Sequence, residues 1–143
     1  MQIEKTLMNL SPKSLRLPVK YHYQKVRKRL EKEVLYLDRL VGKGKRAIDI
    51  GANEGIYSYA LSQICEIVEA FEPLSCCTES LVYYSEAKGR NINVYNVGLS
   101  NFNGSSILHI PMNRDSVVTG LSSFREMQGH QQCVEVPVRK LDD

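Results

Sequence analysis

The sequence predicts an α/β domain, a parallel sheet with flanking helices, and two observations carry that prediction. From Arg46 onward, short apolar and β-branched runs alternate with segments whose apolar positions recur every three or four residues. The first such unit, AIDIGANEGIYS from Ala47 to Ser58, sets an Asp in the strand, two glycines four residues apart behind it, and helical spacing directly after the second glycine. A chain of 143 residues with 43% hydrophobic content can bury one core but is short for two.

Taken in order, residues 1 to 18 carry Pro12 and Pro18 with little periodicity and read as a loosely ordered lead-in to a single domain over 19 to 143. From 20 to 41 the stripe Tyr23, Val26, Leu30, Val34, Leu37, Val41 predicts one basic helix, stopped by Gly42 and Gly44, with Arg27–Glu31 and Arg29–Glu33 as i,i+4 pairs. Arg46 to Ile50 is a short strand, Gly55 to Ile64 a helix, and Glu66 to Phe71 a second strand ending in Glu72 and Pro73. Ser75 to Lys88 is the next helix, with Leu81 and Tyr84 inward and Gly89 closing it, and Asn91 to Val97 is the next strand. Strand, helix, strand, helix, strand in that order implies right-handed crossovers. Asn103 and Gly104 then separate VYNVGLS from SSILHIP, a hairpin signal. Residues 111 to 131 read as an irregular loop or lid, and Cys133 to Val138 alternates as a half-buried strand.

Charge is unevenly placed. Residues 1 to 46 hold 13 Lys or Arg against 4 Asp or Glu, whereas 47 to 143 hold 6 against 12. Because Glu31, Glu33 and Asp38 interrupt the basic run, it reads as a solvated helix face, and no nucleic acid is expected as partner. Cys65, Cys76, Cys77 and Cys133 form no CxxC pair, and His22, His109 and His130 fall at no ligand spacing, so no metal site is expected. No run has the length of a bilayer span and no signal-peptide core precedes the domain, which places the expected location in the cytoplasm.

A glycine turn between a parallel strand and a helix offers backbone N–H groups at the carboxyl edge of the sheet, where nucleotide-like ligands bind. Gly51 and Gly55 let the main chain approach a ligand, and Asn53 tolerates left-handed geometry. Glu72 follows Gly51 by 21 residues at the end of the next strand, where an acid accepts hydrogen bonds from the hydroxyls of an adenosine ribose. The dinucleotide fingerprint G-x-G-x-x-G is missing, since Asn53 and Ile56 stand at its second and third glycines, which disfavours an NAD-type oxidoreductase. Asp49, two residues before Gly51, suits a cationic amino-acid group, so S-adenosylmethionine fits the pattern better than NAD.

AIDIGANEGIYS, VEAFEP, NVYNVGLSNFNGSSILHIP and VPVRKLDD, in that order, resemble the FkbM family of S-adenosylmethionine-dependent methyltransferases, over Arg46 to Asp143. The resemblance implies a Rossmann-like class I methyltransferase fold with Asp49, Gly51, Asn53, Gly55 and Glu72 as cofactor contacts, Tyr57 and Ser58 nearby, and Gly98 and Leu99 beside the adenine. It also implies O-methylation of a hydroxyl on a small metabolite, sugar or glycan. Two departures stand out: Asn101 replaces an acid common in the family, and the family continues past LDD into a fourth core strand. The expectation is therefore a sheet truncated before that strand, with an open edge that promotes self-association. A general base is expected near the mouth of the sheet; His109, His130 and Asp115 could reach it only by accident of folding, and none is assigned a catalytic role. A non-catalytic module that keeps the adenosine pocket is the alternative reading.

Overall fold

The structure, a computed structural model, describes every residue except Met1, Lys43, Gly89, Arg90, Arg114, Asp115 and Asp143, and all the remaining side chains but those of Gln2, Ile3, Lys5, Lys88, Asn113, Ser116 and Val117. The expected helix stop at Gly89 and the base candidate Asp115 therefore lie outside the described residues.

The strand–helix alternation forms as the periodicity requires. Strands β1 (Arg46–Ile50), β2 (Ile67–Phe71) and β3 (Ile92–Tyr95) make a parallel sheet in the order β1-β2-β3, with Ala47 opposite Val68 and Val68 opposite Ile92. The connections are α5 (Ile56–Ser62) and α6 (Ser75–Lys88). One sheet face carries Val68, Ala70 and Ile92, which are buried with Tyr59 and Leu61 of α5 and Leu81 and Tyr84 of α6. Rings link the helices across this core, Tyr21 to Tyr59 at 4.9 Å and Tyr59 to Tyr84 at 5.2 Å between centroids. The opposite face is open: Ile48 is 46% and Ile50 65% exposed. There Glu69 accepts hydrogen bonds from Asn93 Nδ2 and Tyr95 Oη, both at 3.0 Å, and lies 3.5 Å from Arg46 Nε.

The N-terminal region differs from the expectation in two respects. The lead-in is helical, as α1 (Gln2–Leu10) and α2 (Lys13–Val26), and α2 packs on α5 and α6 through Leu17, which is fully buried. Pro18 sits inside α2 and removes one internal hydrogen-bond donor without ending the helix. The single helix over 20 to 41 does not form. The chain leaves helical geometry at Lys28, φ 53°, and resumes as two short turns, α3 (Lys32–Leu35) and α4 (Leu37–Leu40). Val26, placed on the buried stripe by spacing, is 81% exposed, whereas Val34 and Leu37 are buried as expected. The break also prevents the predicted i,i+4 pairs: Arg29 lies 3.9 Å from Glu4, and Glu31 accepts a hydrogen bond from Tyr57 Oη.

Beyond β3 a second sheet has the order β4-β7-β5-β6, from β4 (Gly98–Leu99), β5 (Gly104–Asn113), β6 (Ser116–Val117) and β7 (Gln131–Arg139). The expected hairpin across Asn103 and Gly104 is absent. β7 enters between its two arms, parallel to β4 and antiparallel to β5. Leu108, Ile110 and Val136 bury one side of this sheet against Leu74. Part of the expected loop is thus strand, followed by a 3-10 turn at Thr119–Leu121. Among the described residues, no helix is long and apolar enough to cross a membrane.

Candidate functional site

The β1–α5 turn is held to the end of β2 by its own backbone. Gly51 and Ala52 both donate N–H to the carbonyl of Phe71, at 2.9 and 3.0 Å, and Gly55 N donates to the Ala52 carbonyl at 2.8 Å. Gly51, Asn53 and Gly55 all have positive φ, 77°, 46° and 85°, so the turn needs the residue types it carries. Glu72 is 7% exposed, and its carboxylate accepts from Asn53 N at 3.0 Å and Leu74 N at 2.9 Å, tying the turn to the start of α6. The Asn96 side chain donates to the Glu72 carbonyl at 3.2 Å and to Thr78 Oγ1 at 2.8 Å, fixing the exit of β3 to the same corner.

Five of the nine sequence candidates, Gly51, Asn53, Glu72, Gly98 and Leu99, line one cavity of about 350 Å³. Ile50, Phe71 and Pro73 contribute from the first sheet, and Val97, Leu108, Thr119, Gly120, Ser122 and Phe124 from the β3–β4 junction and the second sheet. A Cβ built on Gly51 would meet no atom within 4 Å, whereas one on Gly98 would fall 2.6 Å from Phe124 Cζ. Gly51 therefore leaves cavity space, and Gly98 leaves room for the Phe124 ring. Asn53 Oδ1 is buried and has no hydrogen-bond partner among the described residues.

The other four candidates lie elsewhere. Asp49 turns toward α5, where it accepts from Ser58 Oγ at 2.6 Å and from the Ser58 backbone N–H; burial raises its pKa and the Ser58 hydrogen bonds oppose the rise. Ser58 is fully buried beneath it. Gly55 does not serve ligand approach: a Cβ there would fall 2.9 Å from Leu81 Cβ, so it permits close packing of the turn on α6. Tyr57 lines a second cavity of about 320 Å³, together with Gln24, Arg29, Glu31 and Glu54, and this cavity shares Gly51, Asn53 and Gly120 with the first. The Glu31 carboxylate pushes the Tyr57 phenol up to about 12, so Tyr57 remains a donor at neutral pH. Lys20 pairs with Glu54 at the same edge.

The pairing pattern decides what the site can recognise. The N–H groups of Gly51, Ala52, Asn53 and Gly55 are all engaged within the protein, so these four are not the free donors expected at the turn. The Glu72 carboxylate keeps a second lone pair on each oxygen beyond its two backbone hydrogen bonds. That carboxylate suits a ligand presenting hydroxyl donors, and the four engaged N–H groups of the turn offer a pyrophosphate little.

Of the base candidates, His109 lies opposite Cys133 across β5 and β7, Nδ1 to Sγ 3.5 Å, while its neighbours Leu108 and Ile110 are buried on the other side of the strand. It therefore faces away from the cavity. His130 is exposed in the bend before β7. Among the described residues, no three His, Cys, Asp or Glu side chains are grouped to hold a metal ion. Sequence reasoning missed the wall formed by Thr119 to Phe124, since those residues carry no periodic or motif signal.

No family model matches the chain, and no curated protein matches it. Among solved structures, the YcgJ protein of Bacillus subtilis aligns with a TM-score of 0.38 and 18% identity, covering 43% of this chain and 28% of that one. The α/β description rests on the chain's own strand order and helices rather than on that overlap.

Proposed function

We propose that this chain carries the S-adenosylmethionine-binding unit of a Rossmann-like class I methyltransferase of the kind it resembles, the FkbM family. One observation carries the reading. The turn after β1 and the acid after β2 wall a single cavity, in which the Glu72 carboxylate keeps a lone pair on each oxygen beyond its two backbone hydrogen bonds. An adenosine ribose would place its two hydroxyls on Glu72, its adenine between the Phe71–Pro73 edge and the Val97–Leu99 edge, and its 5′ substituent toward Asn53. Gly51 provides the space for that crossing. NAD would bring a pyrophosphate to a turn at which the N–H groups of Gly51, Ala52, Asn53 and Gly55 are engaged within the protein.

When bound, S-adenosylmethionine supplies a methyl group on a sulfonium leaving group, so transfer demands little beyond positioning and loss of the acceptor's proton. Glu72 and Asn53 orient the nucleoside; Asp49 and Ser58 brace the turn behind them. The acceptor class, a hydroxyl on a small metabolite, sugar or glycan, follows from the family resemblance alone. The test is calorimetric titration of the chain with S-adenosylhomocysteine and with NAD. Saturable binding of the first and none of the second is expected, and the reverse order would overturn the reading. Tritiated methyl transfer with saturating cofactor then separates an enzyme from a module that only binds.

A further inference from the structure

Cys133 and His109 form a thiol–imidazole pair on the face of the second sheet that is turned away from the cavity, with Sγ 3.5 Å from Nδ1. The strand pairing sets that closeness. Both main-chain polar groups of His109 go to Ser123: its N–H donates to the Ser123 carbonyl at 2.8 Å, and its carbonyl accepts from the Ser123 N–H at 2.9 Å. Its partnership with Cys133 across β5 and β7 is therefore the narrow, non-hydrogen-bonded kind, in which facing side chains stand closest. The imidazole is half-buried on a residue paired along both edges, whereas the thiol is exposed. Within two residues of the pair or of Ser123 the charged side chains are Glu135 and Arg125, and Glu135 accepts a hydrogen bond from Ser105 Oγ at 2.5 Å. An exposed sulfur with a ring nitrogen already at its side is the arrangement a thiol needs to shed its proton as it attacks.

We propose that Cys133 is a site of reversible modification by low-molecular-weight disulfides, with His109 as its base. With the imidazole protonated at Nε2, Nδ1 takes the S–H proton while Cys133 Sγ attacks one sulfur of the disulfide. A new S–S bond forms to Cys133, the old S–S bond breaks, and the departing thiolate takes the proton from Nδ1 and leaves as a thiol. Cys133 is oxidised to the mixed disulfide and half of the reagent is reduced, so no further oxidant enters. Exchange with a second thiol reverses the step.

The test treats the full chain with 2-hydroxyethyl disulfide, an uncharged probe, and reads each cysteine by acid quench and peptide mass spectrometry. Cys76, on α6, is the reference thiol, and buried Cys65 reports folding. At pH 7 His109→Gln should slow modification of Cys133 at least about fivefold, with Cys76 unchanged. Wild-type Cys133 should react at a nearly level rate from about pH 7 to 8, where a neutral imidazole is in place. In the variant the rate should climb close to tenfold per pH unit, as for an unassisted thiol below its ordinary value of about 8.5, and the two should converge above about pH 9. Equal rates at pH 7 overturn the proposal. A deficit of the same size at both ends of that range also overturns it, since that marks altered exposure rather than proton transfer. Should His109→Gln leave Cys65 open to the probe, the wild-type profile decides: a level stretch supports the base, and a continuous climb refutes it.

Discussion

Replacing Glu72 with Ala should unfold the corner before it reveals anything about a ligand. The carboxylate is nearly buried and accepts two backbone N–H bonds, from Asn53 and Leu74. Hydrogen bonds to a charged group are each worth about 1.5–3 kcal/mol, and a buried donor left unpaired costs about 1–3 kcal/mol. Water can reach Asn53 N through the cavity and offset part of one loss, so the expected destabilisation is about 2–4 kcal/mol. For a domain of this size that lowers Tm by roughly 5–15 °C. Glu72→Gln should cost less, because its carbonyl oxygen serves one of the two donors while its NH₂ opposes the other. Urea and thermal unfolding measure both variants, and S-adenosylhomocysteine titration follows at a temperature where each is folded. If Glu72→Ala unfolds within about 0.5 kcal/mol of wild type, the two hydrogen bonds do not hold the turn and the argument for a preorganised wall fails.

The two turn glycines should separate by phenotype. Gly55→Ala combines a left-handed backbone with an overlap on Leu81 and is expected to cost about 2–4 kcal/mol, while Gly51→Ala, strained but unopposed, costs about 1–2 kcal/mol and loses ligand affinity; equal phenotypes would refute this division. Asp49 has its pKa raised by burial, so its contribution to stability is complete below the unfolded value of 3.8 and is lost as pH rises through the higher folded value. Relative to Asp49→Asn, wild type should therefore lose stability in urea titrations as pH climbs from below 4 toward neutrality, and a gain would refute the assignment. Iodoacetamide at neutral pH should label Cys76 and Cys133 of the folded chain first, by mass spectrometry. Cys65 is buried, and burial lifts the Cys77 thiol to about 11, so rapid labelling of either would contradict the packing.

The strand–turn–helix from Arg46 to Ser62 was legible because its signals are local: β-branched residues, two glycines and an immediate change of period. α6 was legible for the same reason, down to the inward Leu81 and Tyr84. The N-terminal helices were not. The spacing from Tyr23 to Val41 is compatible with one helix, and nothing local shows that Leu17, on the far side of Pro18, finds the core instead. The hairpin at Asn103–Gly104 failed for the complementary reason: pairing with β7 joins residues about thirty apart, and local turn chemistry does not weigh that competition. In the site, Gly51, Asn53 and Glu72 were readable from type and spacing. Whether their polar groups were free or engaged was not, since that depends on the Phe71 carbonyl and the start of α6.

The strand order of the second sheet also sets a schedule. β1, β2 and β3 follow one another in the chain and pair with their immediate successors, so the first sheet can close once Tyr95 has been synthesised. β4 and the body of β5 have no such recourse, because the strand that joins them, β7, ends at Arg139. At roughly 5–20 residues per second, a nascent chain holds a ten-residue strand without its main partner for roughly one to five seconds after Asn113 is made. During that interval Leu108 and Ile110, later buried, and the unpaired edge of β5 are available to any neighbouring chain. Slowing translation between residues 113 and 139 would lengthen that exposure.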